Sequence, residues 1–111
     1  ILKTDSRDEK NRKALFYLFG LSEETRNHIK ELYDYEENGI ILKGLDMPWQ
    51  TSTTKKATRL AFNLYNGTVY DSKEDFFDDK VSKYYMADEI FCCRLAPYFW
   101  EAIKLRYPEY S

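Results

Sequence analysis

Apolar residues recur at Ala57, Leu60, Ala61, Leu64 and Tyr65, offsets of 0, 3, 4, 7 and 8 that mark one face of an α-helix. The pattern predicts a helix starting between Thr51 and Thr53 and stopping at Asn66-Gly67. A first helix is predicted over 5–19, polar through Lys13 and then apolar at Leu15, Leu18 and Phe19, with Gly20 expected as a left-handed cap. Ser22 suits the N-cap of a second helix, since its hydroxyl can accept a free backbone N–H and Glu23 and Glu24 complement the helix dipole. Its stripe is Ile29, Leu32 and Tyr33, and Asn38-Gly39 is its expected end. Residues 40–42 form a short apolar run that reads as an extended segment, with no evident strand partner. Pro48 disfavours helix at Met47, so 44–50 reads as an ordered loop.

Beyond Gly67, Ser72 and Asp75 approximate a capping box, with Phe76, Phe77 and Val81 as expected anchors for a short helix. Another short helical turn is expected over 87–92. Pro97 suits the first position of a final helix closed by Pro108. Only Glu101, Lys104 and Arg106 are charged between Tyr98 and Tyr107, so Phe99, Trp100, Ile103 and Tyr107 are expected at the bundle centre. The fold class is therefore all-α (mainly α): one compact helical domain over 1–111, a bundle of four to six helices with one short extended segment at 40–42. Residues 1–12 are expected to be frayed or to follow a missing N-terminal segment, because the chain begins at Ile1 and not at Met.

Composition agrees with this pattern. Aromatics are 17% of 111 residues, enough large side chains to build a core without disulfides or a metal, and four Gly and three Pro do not suit a many-turned β-sandwich. The charged fraction of 32% is mixed in sign and interrupted by apolar residues, which argues against intrinsic disorder. No apolar run is long enough to span a bilayer, so no membrane is expected as a partner. Adjacent Cys92 and Cys93 rarely pair with each other, and two thiols alone are not a metal site; they read as half-buried residues in a reducing cytoplasm.

Charge, in contrast, is unevenly placed. Residues 14–46 and 71–90 each carry seven acids against three bases, while 47–70 carry no acid and three cations, Lys55, Lys56 and Arg59. A basic island therefore lies inside an acidic protein, a pattern that bears on partners more than on fold.

The inventory for catalysis is thin. His28 sits at the edge of an apolar face, and no nucleophile elbow, zinc-binding HExxH, phosphate loop or CxxC occurs, so no catalytic residue, metal ligand or cofactor is assigned. Glu74 and Asp78, like Asp75 and Asp79, lie one helical turn apart, which leaves a divalent-metal-dependent enzyme using 71–79 as a second alternative. The more specific feature is the start of the helix at 51–65. Its first-turn N–H groups, Thr51, Ser52, Lys55, Lys56 and Arg59 favour an anion, and Trp49 and Gln50 flank them. These seven residues are the candidate partner- or anion-binding site. The competing reading is that the cations neutralise neighbouring acids and Trp49 packs into the core. Nucleic-acid or nucleotide binding through the same face is the first alternative, disfavoured by having only three cations in an acidic chain.

The stretches at 14–22, 48–51, 58–67 and 96–110, the last opening Ala96-Pro97-Tyr98-Phe99-Trp100-Glu101-Ala102-Ile103, resemble a family of small proteins of unknown function. That family occurs in Gram-positive bacteria, their phages and integrative elements. The resemblance transfers no activity and no catalytic residue; it implies a small cytoplasmic accessory protein of a mobile element. The resulting expectation is a non-enzymatic interaction or regulatory protein with a protein partner, and tyrosine, enriched at interfaces, supplies ten of the residues.

Overall fold

The computed structural model describes residues 9–110 throughout and the backbone of Leu2 and Lys3. Of the first twelve residues, Leu2–Lys3 and 9–12 lie in regular structure; the remainder of that expectation, with 5–8 of the first helix, lies outside the described residues.

The architecture is mainly α. Strand β1 (Leu2–Lys3) is followed by α1 (Glu9–Phe19), α2 (Glu23–Asn27), β2 (Tyr33–Asp34), β3 (Gly39–Ile40), α3 (Ser52–Asn66), α4 (Lys73–Phe77), α5 (Ala87–Ile90) and α6 (Ala96–Arg106). Single 3₁₀ turns occupy Ile29–Glu31, Leu42–Asp46, Lys83–Tyr85 and Pro108–Tyr110. Helix α1 is the central element, packed on α3 on one side and α6 on the other. Ala14, Leu15, Leu18 and Phe19 are its buried stripe, and Phe19 meets Phe62 of α3 edge to face at 6.3 Å.

Helix α3 forms as its periodicity demands. Thr51 and Thr54 close a reciprocal capping box, and Gly67, at φ 79°, supplies the left-handed terminus, its N–H donating to Asn63 O at 2.8 Å. Ser22 and Ser72 cap α2 and α4 as expected, accepting from Thr25 N and Asp75 N. Gly20, by contrast, is not left-handed. Its N–H donates to Phe16 O at 3.0 Å and Tyr17 O at 3.2 Å, and the chain leaves α1 through a tightened last turn.

The second helix stops at Asn27, well before the expected Asn38-Gly39. Turn chemistry beyond it competes successfully with helical spacing. Asp34 Oδ1 accepts from Glu36 N (2.9 Å) and Glu37 N (3.1 Å), and Asn38 takes φ 52°, so the chain reverses into a hairpin. This gives the extended segment its missing partners. β3 is the middle strand of an antiparallel sheet of order β1-β3-β2, with Ile40 opposite both Leu2 and Tyr33. Leu42 is not extended but opens a 3₁₀ turn. Tyr65 OH donates to Asn38 O at 2.9 Å and stands 3.1 Å from Tyr33 OH, which fastens the hairpin to α3. Burial and the neighbouring Tyr33 hydroxyl push the Tyr65 pKa upward and keep it neutral.

Several side-chain placements also differ from the sequence expectation. Helix α6 buries Phe99 and Ala102, but Trp100 is 57% exposed, and Tyr98 and Tyr107 are also exposed. This helix packs mainly on α1 and only marginally on α3, and it carries more apolar residues than these contacts can cover. Phe76, Phe77 and Val81 are likewise exposed and do not anchor α4 in the core. Cys92 is exposed as well, with Cys93 half-buried against the core.

Candidate functional site

The seven candidate residues start on one stretch of chain, but the fold separates their roles. Trp49 is half-buried with its indole flat on His28, ring centres 4.5 Å apart, and its Nε1–H donates to Glu31 Oε1 at 3.1 Å. His28 Nδ1 lies 2.6 Å from Glu31 Oε2, and these two hydrogen bonds hold the Glu31 carboxyl below the usual carboxylate range. Gln50 is turned inward: its Nε2 donates to Gly44 O (3.0 Å) and Thr58 Oγ1 (3.3 Å), and its Oε1 accepts from Thr54 Oγ1 (2.7 Å). Thr51 is engaged in the capping box, which occupies part of the first-turn donor set. Ser52 is exposed, and Lys55 and Lys56 are half-exposed with no ion pair among the described residues.

Arg59 faces a different element. Its Nε donates to Asp71 Oδ1 at 3.0 Å, its guanidinium lies 5.0 Å from the Tyr84 ring centre, and Asp71 Oδ2 accepts from Ser82 Oγ at 2.8 Å. Ser82 N donates to Val69 O at 2.8 Å, and Tyr85 OH donates to Tyr70 O at 2.9 Å. Burial and the nearby Asp71 push the Tyr85 hydroxyl pKa upward, while Arg59 opposes them. Together these bonds close the segment 69–85 into a strap clamped on α3. The Arg59 side chain is only 14% exposed, so reversing its charge sets a second carboxylate against Asp71. Arg59→Glu is expected to cost roughly 2–3 kcal/mol and lower Tm in a thermal melt. Lys56→Glu should leave Tm nearly unchanged. A double Lys56/Arg59 reversal therefore does not test the surface without disturbing the fold.

What sequence reasoning missed is the outer face of the strap. Tyr70, Phe76 and Phe77 form a continuous aromatic ridge, with centre-to-centre distances of 5.5 Å and 5.4 Å and edge-on geometry. Tyr70 OH donates to Asp79 Oδ1. Phe77 is 77% exposed at its tip. A cleft of about 470 Å³ lies between the turn Leu42–Asp46 and the start of α4, lined by Lys43 and Asp46 from the one and by Asp71, Ser72, Lys73 and Glu74 from the other. The signal was in the spacing: Phe76-Phe77 is bracketed by acids on both sides, so no apolar stripe exists to bury it. A second aromatic pair, half-buried Phe91 stacked on exposed Trp100 at 4.7 Å, lies where α5 meets α6. Among the described residues, no three His, Cys, Asp or Glu side chains converge as a metal ligand set.

The chain belongs to a family of unknown function, DUF6075, whose profile matches residues 1–111. No curated protein and no solved structure matches it.

Proposed function

We propose that this chain is a non-enzymatic protein-interaction module, acting as a small regulatory accessory protein. The observation that carries the proposal is the set of large aromatic side chains held in solvent on ordered elements, Phe77 on the strap and Tyr98 and Trp100 on α6. Exposed aromatics cost solvation, and at interfaces they are the residues that anchor a partner. Ser52, Lys55 and Lys56 stay in this reading as a polar rim, whereas Trp49, Gln50, Thr51 and Arg59 act by holding the loop and strap that border it. The setting we infer, the cytoplasm and a phage or mobile element, rests on the sequence resemblance alone.

The test is affinity capture from lysate with and without nuclease, comparing wild type with Trp100→Ala, Phe77→Ser and Lys56→Glu. A stoichiometric protein that survives nuclease and is lost in at least one variant is the expected result. Recovery that disappears with nuclease would transfer the function to nucleic-acid binding through the basic face of α3.

A further inference from the structure

The strap joins two properties that rarely occur together on an ordered surface. Residues 74–79 consist of four acids, Glu74, Asp75, Asp78 and Asp79, around the adjacent Phe76 and Phe77, with one lysine at each flank, Lys73 and Lys80, so the segment stays net acidic. The carboxylates of Glu74, Asp75 and Asp78 take no ion pair among the described residues, while Asp79 serves as acceptor for Tyr70. Phe77 stands 77% exposed at the end of the Tyr70–Phe76–Phe77 ridge. The backbone beneath is fixed by Ser82 N–H to Val69 O and by Lys80 N–H to Asp75 O, both at 2.8 Å. The aromatic ring is therefore presented by an ordered turn.

We infer that this ridge is a docking surface for a cationic segment of a protein partner. Phe77 enters an apolar pocket there, and Glu74, Asp75 and Asp78 meet Lys or Arg at its rim. Charge selects this occupant. A nucleic acid or an anionic lipid surface would bring like charge against four carboxylates, whereas a basic rim brings complementary charge and leaves the apolar contact at the centre, the arrangement of a hot spot inside a polar ring. This inference rests on the reading of the chain as an interaction module and names one surface and the chemistry of what it takes.

The probe is a labelled amphipathic helix of Leu and Lys, with a Leu and Glu twin of the same pattern, read by fluorescence anisotropy against the full chain. The Leu/Lys helix should bind wild type. Phe77→Ser should weaken it roughly tenfold or more, and so should Glu74→Gln combined with Asp78→Asn, with affinity falling as salt rises. All three side chains are exposed, so the melts of these variants should match wild type. Equal affinity for Phe77→Ser and wild type, or equal binding of the Leu/Glu twin, would overturn the assignment. Phe77-dependent binding to phosphatidylglycerol vesicles would overturn it in favour of a lipid surface. Phe77-dependent self-association in sedimentation would do so in favour of a second copy. If Phe77→Ser still captures the lysate partner of wild type, this surface is refuted while the interaction function stands.

Discussion

Replacing Phe99 by Ala should cost about 3–5 kcal/mol, whereas replacing the adjacent Trp100 by Ala should cost about 1 kcal/mol or less. Phe99 is fully buried between α1 and the loop before α6, with Phe91 edge-on at 5.8 Å, so truncation leaves a cavity that packed helices cannot close. Trp100 loses only its stack on Phe91 and an indole that already faces water. A urea titration of both variants is the direct measurement, and the midpoints should separate clearly. Comparable losses would mean that the outer face of α6 is covered, contrary to the placement of Trp100.

Gly44→Ala is expected to be nearly as damaging, about 3 kcal/mol, although it adds a single methyl group. A β-carbon at Gly44 would lie 2.5 Å from Leu32 Cδ2 and 2.6 Å from Glu31 O. Leu32 is fully buried and has little freedom to move, and the Glu31 carbonyl belongs to the 3₁₀ turn that positions His28, Glu31 and Trp49. The turn Leu42–Asp46 must therefore lift away from Ile29–Glu31. That movement also draws on the Gln50 hydrogen bond to the Gly44 carbonyl. Thermal unfolding with near-ultraviolet circular dichroism should report both the lower Tm and a changed Trp49 environment. Unchanged values would show that the two turns do not touch.

Helices with a single dominant stripe were legible in the sequence. Helix α3 has five apolar residues at helical offsets and a capping signal at each end, and local and tertiary preferences agree there. The second helix was misjudged because Ile29, Leu32 and Tyr33 satisfy helical spacing equally well as a 3₁₀ turn followed by a strand. The decision came from Asp34 and Asn38, whose side chains and backbone build the reversal. The strand partner of Ile40 was invisible for a related reason: it is divided between Leu2 and Tyr33, two segments too short to alternate recognisably. Helix α6 shows the opposite limit, because composition reveals that a helix is apolar but not how many neighbours it has. Of the candidate site, the amphipathic placement of Lys55 and Lys56 was readable. That a cation here would be neutralised by a neighbouring acid was the competing reading, and Arg59 follows it; that the acid is Asp71 was not readable, since the contact lies twelve residues away and no periodicity encodes it.

The clamp that closes the strap has a thermodynamic consequence. A loop that becomes ordered only on contact surrenders conformational entropy at that moment, and its affinity is lowered accordingly. Here Arg59, Asp71, Ser82 and Tyr85 have already confined the segment on folding. The ridge is thus preorganised, and association would need to immobilise little more than the partner. Loosening the clamp would then weaken binding without removing a single contact residue.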